Sequence, residues 1–397
     1  MISVDEAIAT IADDIAALTK ETVRIEDGLG RTLAEATRAR LTHPPARMSA
    51  MDGYAVALTA PLTADTSLEV RGEAPAGAPF EGSVGNGAVR VFTGSVIPDG
   101  ANHVVIQEDT DRQGDTITLT AEQPEPKNIR QMGTDFIAGG ELLPSGRVLG
   151  AIDVSLLAAA GISEIAVIRR PKIALFANGN ELVAPSETPT PGQVVNSITR
   201  GLKPLLESWG ASVTDLGVAG DSEDAVRLMF DGAADVDLIV PIGGASVGDY
   251  DVVKRLGREI FDLRFEKVAV KPGKPVWFGR GQGRSILGLP GNPSSAFACS
   301  YLFVRLAINA FLGRPERQLA LETARLTAPV GPNGNRETFM RAVVRHDESG
   351  QLCVQAEARQ DTALLSPFAA SNALLRRKAG AEPSDIGAMV QVLRLSG

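Results

Sequence analysis

Two lysines three residues apart, Lys271 and Lys274, sit in the segment Lys271-Pro272-Gly273-Lys274-Pro275. Proline fixes its own φ, so both ammonium groups start from a stiff backbone. A rigid cationic pair in an acidic chain suits capture of an oxyanion; a solvated turn between strands is the other reading. The loop Gly243-Gly244-Ala245-Ser246-Val247-Gly248-Asp249-Tyr250-Asp251 joins small residues to two acids. Small residues let backbone N–H groups approach a phosphate, and the acids can hold Mg²⁺ bridging to it. A tight strand-to-helix turn with Asp249 as cap explains the same residues. Residues 288–295 (GLPGNPSS) open a helix, with Asn292 as N-cap and Pro293 at the first helical position. The free amides there suit an anion, and plain helix initiation is the alternative. Asp52 in residues 49–56 (SAMDGYAV), Thr93 before Gly94, and Arg130 with Asp135 in residues 130–136 (RQMGTDF) are further candidates. Each also reads as a turn, a strand end or an ion pair.

These groups need elements to hold them. Ser3 and Glu6 form a capping box, and Ile8, Ile11, Ile15 and Leu18 follow on one helical face. Residues 68–70, 88–92, 103–107 and 116–120 read as short strands between turn signals, a β-rich module. A helix over 151–160 ends at Gly161. Residues 172–177, 212–218, 237–242, 265–270, 276–279 and 285–289 read as strands. Helices over 196–209, 223–234 and 252–257, and after Asn292, alternate with them. That alternation implies a mostly parallel, doubly wound α/β sheet. Ligands of such sheets bind beyond the carboxyl ends of the strands. Those ends carry Asn178-Gly179-Asn180-Glu181, then Asp221, then the Gly243-Gly244 loop, then the loop of Pro290 and Asn292. Four ends with glycine or carboxylates on one edge predict a pocket. Residues 321–326, 338–344, 352–356 and 389–393 form a small C-terminal β module.

Composition narrows the chemistry. The 397 residues exceed one ordinary domain, and 39 basic against 48 acidic residues give a net charge of −9. Such a surface disfavours general nucleic-acid binding and leaves room for a local basic pocket. Cys299, Cys353, His43, His103 and His346 show no metal-ligand spacing, which argues against zinc, iron–sulfur and disulfide frameworks. Carboxylates, lysines, backbone amides and a hard metal ion remain. Gly279, Gly281 and Gly283 precede a strand, so no dinucleotide site follows. No basic n-region with an apolar core follows Met1, and the apolar stretch 296–312 carries Arg305, so it reads as a core helix and the chain as cytoplasmic, with no membrane partner.

Taken together, residues 49–56 (SAMDGYAV), 92–109 (FTGSVIPDGANHVVIQED), 128–136 (NIRQMGTDF), 156–162 (LLAAAGI), 243–251 (GGASVGDYD), 271–279 (KPGKPVWFG) and 288–297 (GLPGNPSSAF) resemble the molybdopterin molybdenumtransferase family, the MoeA-type enzymes and the C-terminal domain of gephyrin. The resemblance spans nearly the whole chain. It implies a multidomain α/β fold with a linker module (1–45 and 136–168), a β-rich module (46–135), a doubly wound molybdopterin-binding, adenylyltransferase-like domain (169–316) and a C-terminal β barrel (317–397). It implies a homodimer that, with Mg²⁺, transfers molybdenum from molybdate to adenylylated molybdopterin and releases AMP. The molybdopterin adenylyltransferase and recipient molybdoenzymes are implied partners. Asp52, Thr93, Asp135, Glu181, Asp221, Asp251, Lys271 and Lys274 take the family's catalytic positions, with Asp52 and Asp135 near a site between subunits. Glu181, Asp221 and Asp251 are the implied metal ligands. Gly243, Gly244, Ser246, Pro275, Pro290, Asn292, Pro293 and Ser294 are implied in substrate binding, and Arg336, Arg341 and Ser366 in holding molybdate. The family usually has Thr/Ser-Gly-Asp-Glu after the first strand; Asn178 and Asn180 replace its hydroxyl and its Asp here. Two other activities share parts of the pattern: ATP-dependent adenylylation of molybdopterin, whose enzymes typically carry a GGTG loop, and a binding scaffold without turnover.

Overall fold

A computed structural model describes residues 1–244 and 252–395. Two site candidates, Ser246 and Asp251, and the expected cap Asp249 lie outside the described residues. The chain divides into two compact units. One contains Met1–Glu21, Gly30–Ala34 and Ala166–Gly397; the other contains Thr22–Leu29 and Glu35–Ile165.

The first unit is built on a six-stranded sheet: β1 (Lys172–Asn178), β2 (Ser212–Ala219), β3 (Leu238–Ile242), β4 (Asp262–Phe265), β5 (Trp277–Gly281) and β6 (Arg284–Gly288). Their spatial order is β2-β1-β3-β6-β5-β4. The pairs from β2 to β6 are parallel, and β5 runs antiparallel to both β6 and β4. A parallel sheet is covered on both faces, which is why β3 is buried at every position. Ile173, Leu175, Val240 and Leu287 join a core with Leu202 and Leu206 on one face. Ala174, Phe176, Ile239 and Ile286 meet Val226, Phe230, Val253 and Leu256 on the other. Successive strand residues thus alternate between two helical layers, the doubly wound arrangement.

The helix after Asn292 runs over Pro293–Phe311, long and apolar enough to cross a membrane, and 89% of its apolar window is buried inside the protein. It is a core helix with a π turn at Ser300–Val304. The Ser3–Glu6 capping box is present. The strand expected over 265–270 is split. Asp262–Phe265 stays in the sheet, whereas Val270–Lys271 leaves it and pairs with Glu337–Thr338 of the barrel. Between them, the Ile2 N–H donates to Lys267 O and its carbonyl accepts from Ala269 N, so the N-terminus takes the pairing the sheet would have used.

The barrel comprises β7 (Leu321–Leu326), β8 (Glu337–His346), β9 (Leu352–Ala356), β10 (Ala373–Arg377) and β11 (Met389–Arg394). The pairs β8–β9, β9–β7, β7–β11, β11–β10 and β10–β8 close the ring. Closure leaves none of the five an open edge. The closing strand β10 is absent from the sequence reading.

The second unit holds another six-stranded sheet. In spatial order its strands are His103–Ile106, Gly53–Val56, Ala88–Val91, Ser67–Ala74, Thr116–Leu119 and Thr110–Gln113. Gly53–Val56, expected to be a turn, is a fully buried strand, so Asp52 stands at its entrance. His103 is completely buried; its Nδ1 accepts from the Lys127 N–H at 3.1 Å, and its Nε2 lies 3.0 Å from Gln123 Oε1. Nδ1 is therefore the unprotonated nitrogen, and Nε2 donates. Burial pushes the His103 pKa below its ordinary value. The unfolded chain takes up a proton near pH ~6.5, and the folded chain does so only at lower pH, so stability falls as pH drops through that window. Chemical denaturation midpoints measured from about pH 7.5 down to about pH 5.5 are expected to decline, and less steeply in His103→Gln.

Candidate functional site

The carboxyl ends of β1, β3 and β6 open into a cavity of about 1040 Å³. Its lining includes Asn178 at the end of β1 and Glu181 after it, Gly243 and Gly244 after β3, Pro290 to Pro293 after β6, and Lys274 and Pro275 from the turn before β5. This is where the strand-edge rule places a ligand.

The loop after β1 is fixed by the two asparagines that depart from the family pattern. The buried Asn178 amide donates to Ala219 O at 3.2 Å and Gly220 O at 3.0 Å. The Asn180 N–H donates to Asp221 Oδ2 at 3.3 Å, and Asn180 Oδ1 accepts from the Asp221 N–H at 3.2 Å. These bonds join the ends of β1 and β2 and bring Asp221 beside the Glu181 loop. Gly244 sits at φ +62°, and a Cβ there would come within 2.9 Å of Asn178 Oδ1. A side chain would therefore both strain the turn and push on the asparagine.

Lys271 and Lys274 are held differently. Lys271 is fixed by the pairing of its two-residue strand with β8 and does not line the cavity; Lys274 does. Between them, Gly273 has φ +113°, and a Cβ there would meet Cys299 Sγ at 2.2 Å. The lysine loop is thus seated directly on the core helix. Burial pushes the Cys299 thiol pKa far up, so the group packs and does not react.

Asn292 occupies the N-cap position, but its side chain does not cap. Its Nδ2 donates to Thr362 Oγ1 at 3.1 Å, and the Ser294 N–H donates to Thr362 O at 3.0 Å. Ser294, 2% exposed, donates from Oγ to Leu364 O at 2.6 Å. Arg341, 3% exposed, donates to Ser294 Oγ at 2.6 Å, Asp361 O at 2.9 Å, Leu364 O at 3.1 Å and Arg359 O at 2.6 Å. The guanidinium expected at an oxyanion thus clamps the 359–364 segment onto the helix start. Arg341→Met leaves those acceptors without their donor and is expected to lower stability by ~3–5 kcal/mol, measured as a shifted urea midpoint. Arg336 reaches Val270 O at 3.5 Å, beside Lys271. Ser366 is exposed at the start of the short helix Ser366–Ala369 and does not line the cavity, although Leu365 does.

In the second unit, Asp52 Oδ1 accepts from the Thr93 N–H at 2.7 Å and from Thr93 Oγ1 at 2.8 Å. These two donors hold the Asp52 carboxyl below the usual carboxylate range. Asp135 is exposed, and its N–H donates to His43 O at 3.1 Å.

Four cationic cavity residues have no counterpart among the sequence candidates: Lys254, Arg255, Arg258 and Lys267. The first three lie on the helix Val252–Ile260, with Lys254 and Arg258 one turn apart. That basic spacing directly after a glycine loop is a signal the sequence does carry. Among the described residues no group of three or more His, Cys, Asp or Glu could hold a metal ion.

The fold and site define a multidomain α/β protein with a cation-lined cavity at the carboxyl edge of its sheet. Family models match in chain order: the MoeA N-terminal region (domain I and II) over residues 2–161, the probable molybdopterin binding domain over 174–310, and the MoeA C-terminal region (domain IV) over 323–395. A molybdopterin molybdenumtransferase of Haemophilus influenzae is 33% identical over 384 residues, covering 94% of each chain. Molybdopterin molybdenumtransferase 2 of Mycobacterium tuberculosis is 33% identical over 364 residues, covering 87% of this chain and 88% of its own. The crystal structure of a molybdopterin biosynthesis MoeA protein from Pyrococcus horikoshii superposes with a TM-score of 0.83 at 28% identity, covering 99% of this chain and all of that one. The chain belongs to the molybdopterin molybdenumtransferase family, the MoeA-type transferases of molybdenum cofactor biosynthesis.

Proposed function

We propose that the chain transfers molybdenum from molybdate to adenylylated molybdopterin with Mg²⁺, releasing AMP and the molybdenum cofactor. The observation that carries this reading is the cavity at the carboxyl ends of β1, β3 and β6, with Lys274 on its wall. Molybdate is a compact dianion, and a fixed ammonium in a concave site binds it well. The lysine turn gains its stiffness from Gly273 packed against Cys299, so Lys274 meets its ligand without first being ordered.

Carboxylate oxygens are donors of the kind Mg²⁺ prefers. That ion prefers one or two carboxylates together with substrate phosphates and waters. Glu181 on the cavity wall, and Asp221, bonded to the neighbouring Asn180, would supply the carboxylates, with Asp251 as the third proposed ligand. A divalent cation there would supply charge stabilisation for the departing AMP. The Asn178 and Asn180 bonds hold the carboxylate loops at fixed positions, and Asp52, kept ionised by Thr93, supplies a permanent negative charge. Asp52, Thr93 and Asp135 keep the catalytic roles the family resemblance implies. The working form is a cytoplasmic homodimer that receives its substrate from the molybdopterin adenylyltransferase and passes its product to molybdoenzymes.

Purified protein given adenylylated molybdopterin and Mg²⁺ is expected to release AMP only when molybdate is added. Release that is independent of molybdate, or none at all, would count against the reading. Equilibrium sedimentation tests the dimer.

A further inference from the structure

Among its described residues the cavity carries five cations, Lys254, Arg255, Arg258, Lys267 and Lys274, against two carboxylates, Glu181 and Glu266. The chain as a whole carries −9. The cavity wall is therefore net positive in an acidic protein, and a concave wall of net positive charge focuses its field on an anion. Lys274 accounts for one of the five. The other four come from a different part of the chain, the helix Val252–Ile260 and the segment after β4.

Glu266 organises this second group. Lys254, 8% exposed, donates from Nζ to Glu266 O at 2.9 Å and lies 3.3 Å from Glu266 Oε2. Arg258 donates from Nε to Glu266 Oε1 at 3.1 Å. Arg258 and Lys254 hold the Glu266 carboxyl below the usual range. Arg255 donates to Glu223 at 2.9 Å, a carboxylate already shared with Arg227. Lys267 is exposed and has no ion-pair partner among the described residues. One carboxylate thus fixes two cations, Arg255 shares the Glu223 carboxylate with Arg227, and Lys267 adds a charge with no ion-pair partner among the described residues.

Resting on the reading above, the reaction brings two anions into one cavity: molybdate and the diphosphate that links molybdopterin to AMP. Each repels the other unless separately neutralised. Guanidinium groups match the paired oxygens of a phosphate. We propose that Arg255, Arg258 and Lys267 form a second anion subsite that binds the substrate diphosphate, distinct from the Lys274 locus for molybdate.

The test uses the full-length protein and the variants Lys267→Gln, Arg255→Gln and their double. Both side chains are exposed, and unchanged thermal midpoints confirm the fold. At saturating molybdate, the double variant is expected to raise KM for adenylylated molybdopterin at least about tenfold, with KM for molybdate within about twofold of the parent. The salt dependence of that KM should flatten, because fewer screened charges take part. An unchanged KM for adenylylated molybdopterin, or a rise confined to molybdate, overturns the proposal. Inorganic diphosphate titrated calorimetrically without divalent cation gives an independent reading. Binding weakened about tenfold in the double variant supports the subsite, and equal binding overturns it. If the parent protein transfers no molybdenum, the functional reading fails, and the diphosphate titration still decides the subsite.

Discussion

Lys274→Gln is expected to lower molybdenum transfer by at least about 100-fold, the scale seen when a preorganised charged donor is removed from a reacting oxyanion. The substitution keeps the stem and removes the charge. Lys274 is exposed on the cavity wall, so the thermal midpoint should stay within about 2 °C of the parent, a change of less than about 1 kcal/mol. Initial-rate assays of AMP release with molybdate varied would show the loss as raised KM for molybdate, lowered kcat, or both. A variant that retains parental rates would remove Lys274 from the reaction.

Gly273→Ala is expected to damage both stability and activity. At φ +113° an alanine is strained, by about 1–2 kcal/mol on the left-handed scale. Its Cβ would also lie 2.2 Å from Cys299 Sγ, inside a core that does not yield freely. Together these predict a loss of about 2–5 kcal/mol, read as a lowered urea midpoint. Any shift that relieves the clash moves the backbone carrying Lys274, and a displacement of about 1 Å can reduce rate ~100-fold. The double variant Gly273→Ala/Cys299→Ala removes the clashing sulfur and should recover part of the stability, leaving the backbone strain. No recovery would mean that the loop is not seated on Cys299.

The parallel strands were legible because burial on both faces makes an unbroken apolar run, as in β3. Strand β10 was not, because its leucines serve two cores: Leu374 packs with the α/β layer and Leu375 inside the barrel. Residues 262–271 misled because Ile2, far off in sequence, takes the pairing between the two pieces. Gly53–Val56 looked like a turn because its flanking small residues hide a strand buried at every position. In the site, the Gly243-Gly244 pair and Glu181 are legible from their place at strand ends, and Lys274 from its stiff proline-glycine turn; all four line the cavity. Asn292 has the right type for a cap, but a partner 70 residues away, Thr362, claims its side chain. Ser294 and Arg341 carry polar groups that the fold spends on one another. Arg255, Arg258 and Lys267 are not among the sequence candidates; the cavity gathers them only once the helix Val252–Ile260 and the segment after β4 are set against the strand ends.

We propose that molybdate is received at the carboxyl edge of the sheet, by Lys274. Anomalous diffraction at the molybdenum edge, from crystals of the full-length protein grown with molybdate, tests it most directly. A molybdenum peak is expected in the cavity within hydrogen-bonding reach of Lys274 Nζ, and is expected to be lost in Lys274→Gln. A peak found only away from this cavity, and unchanged by the substitution, would contradict it.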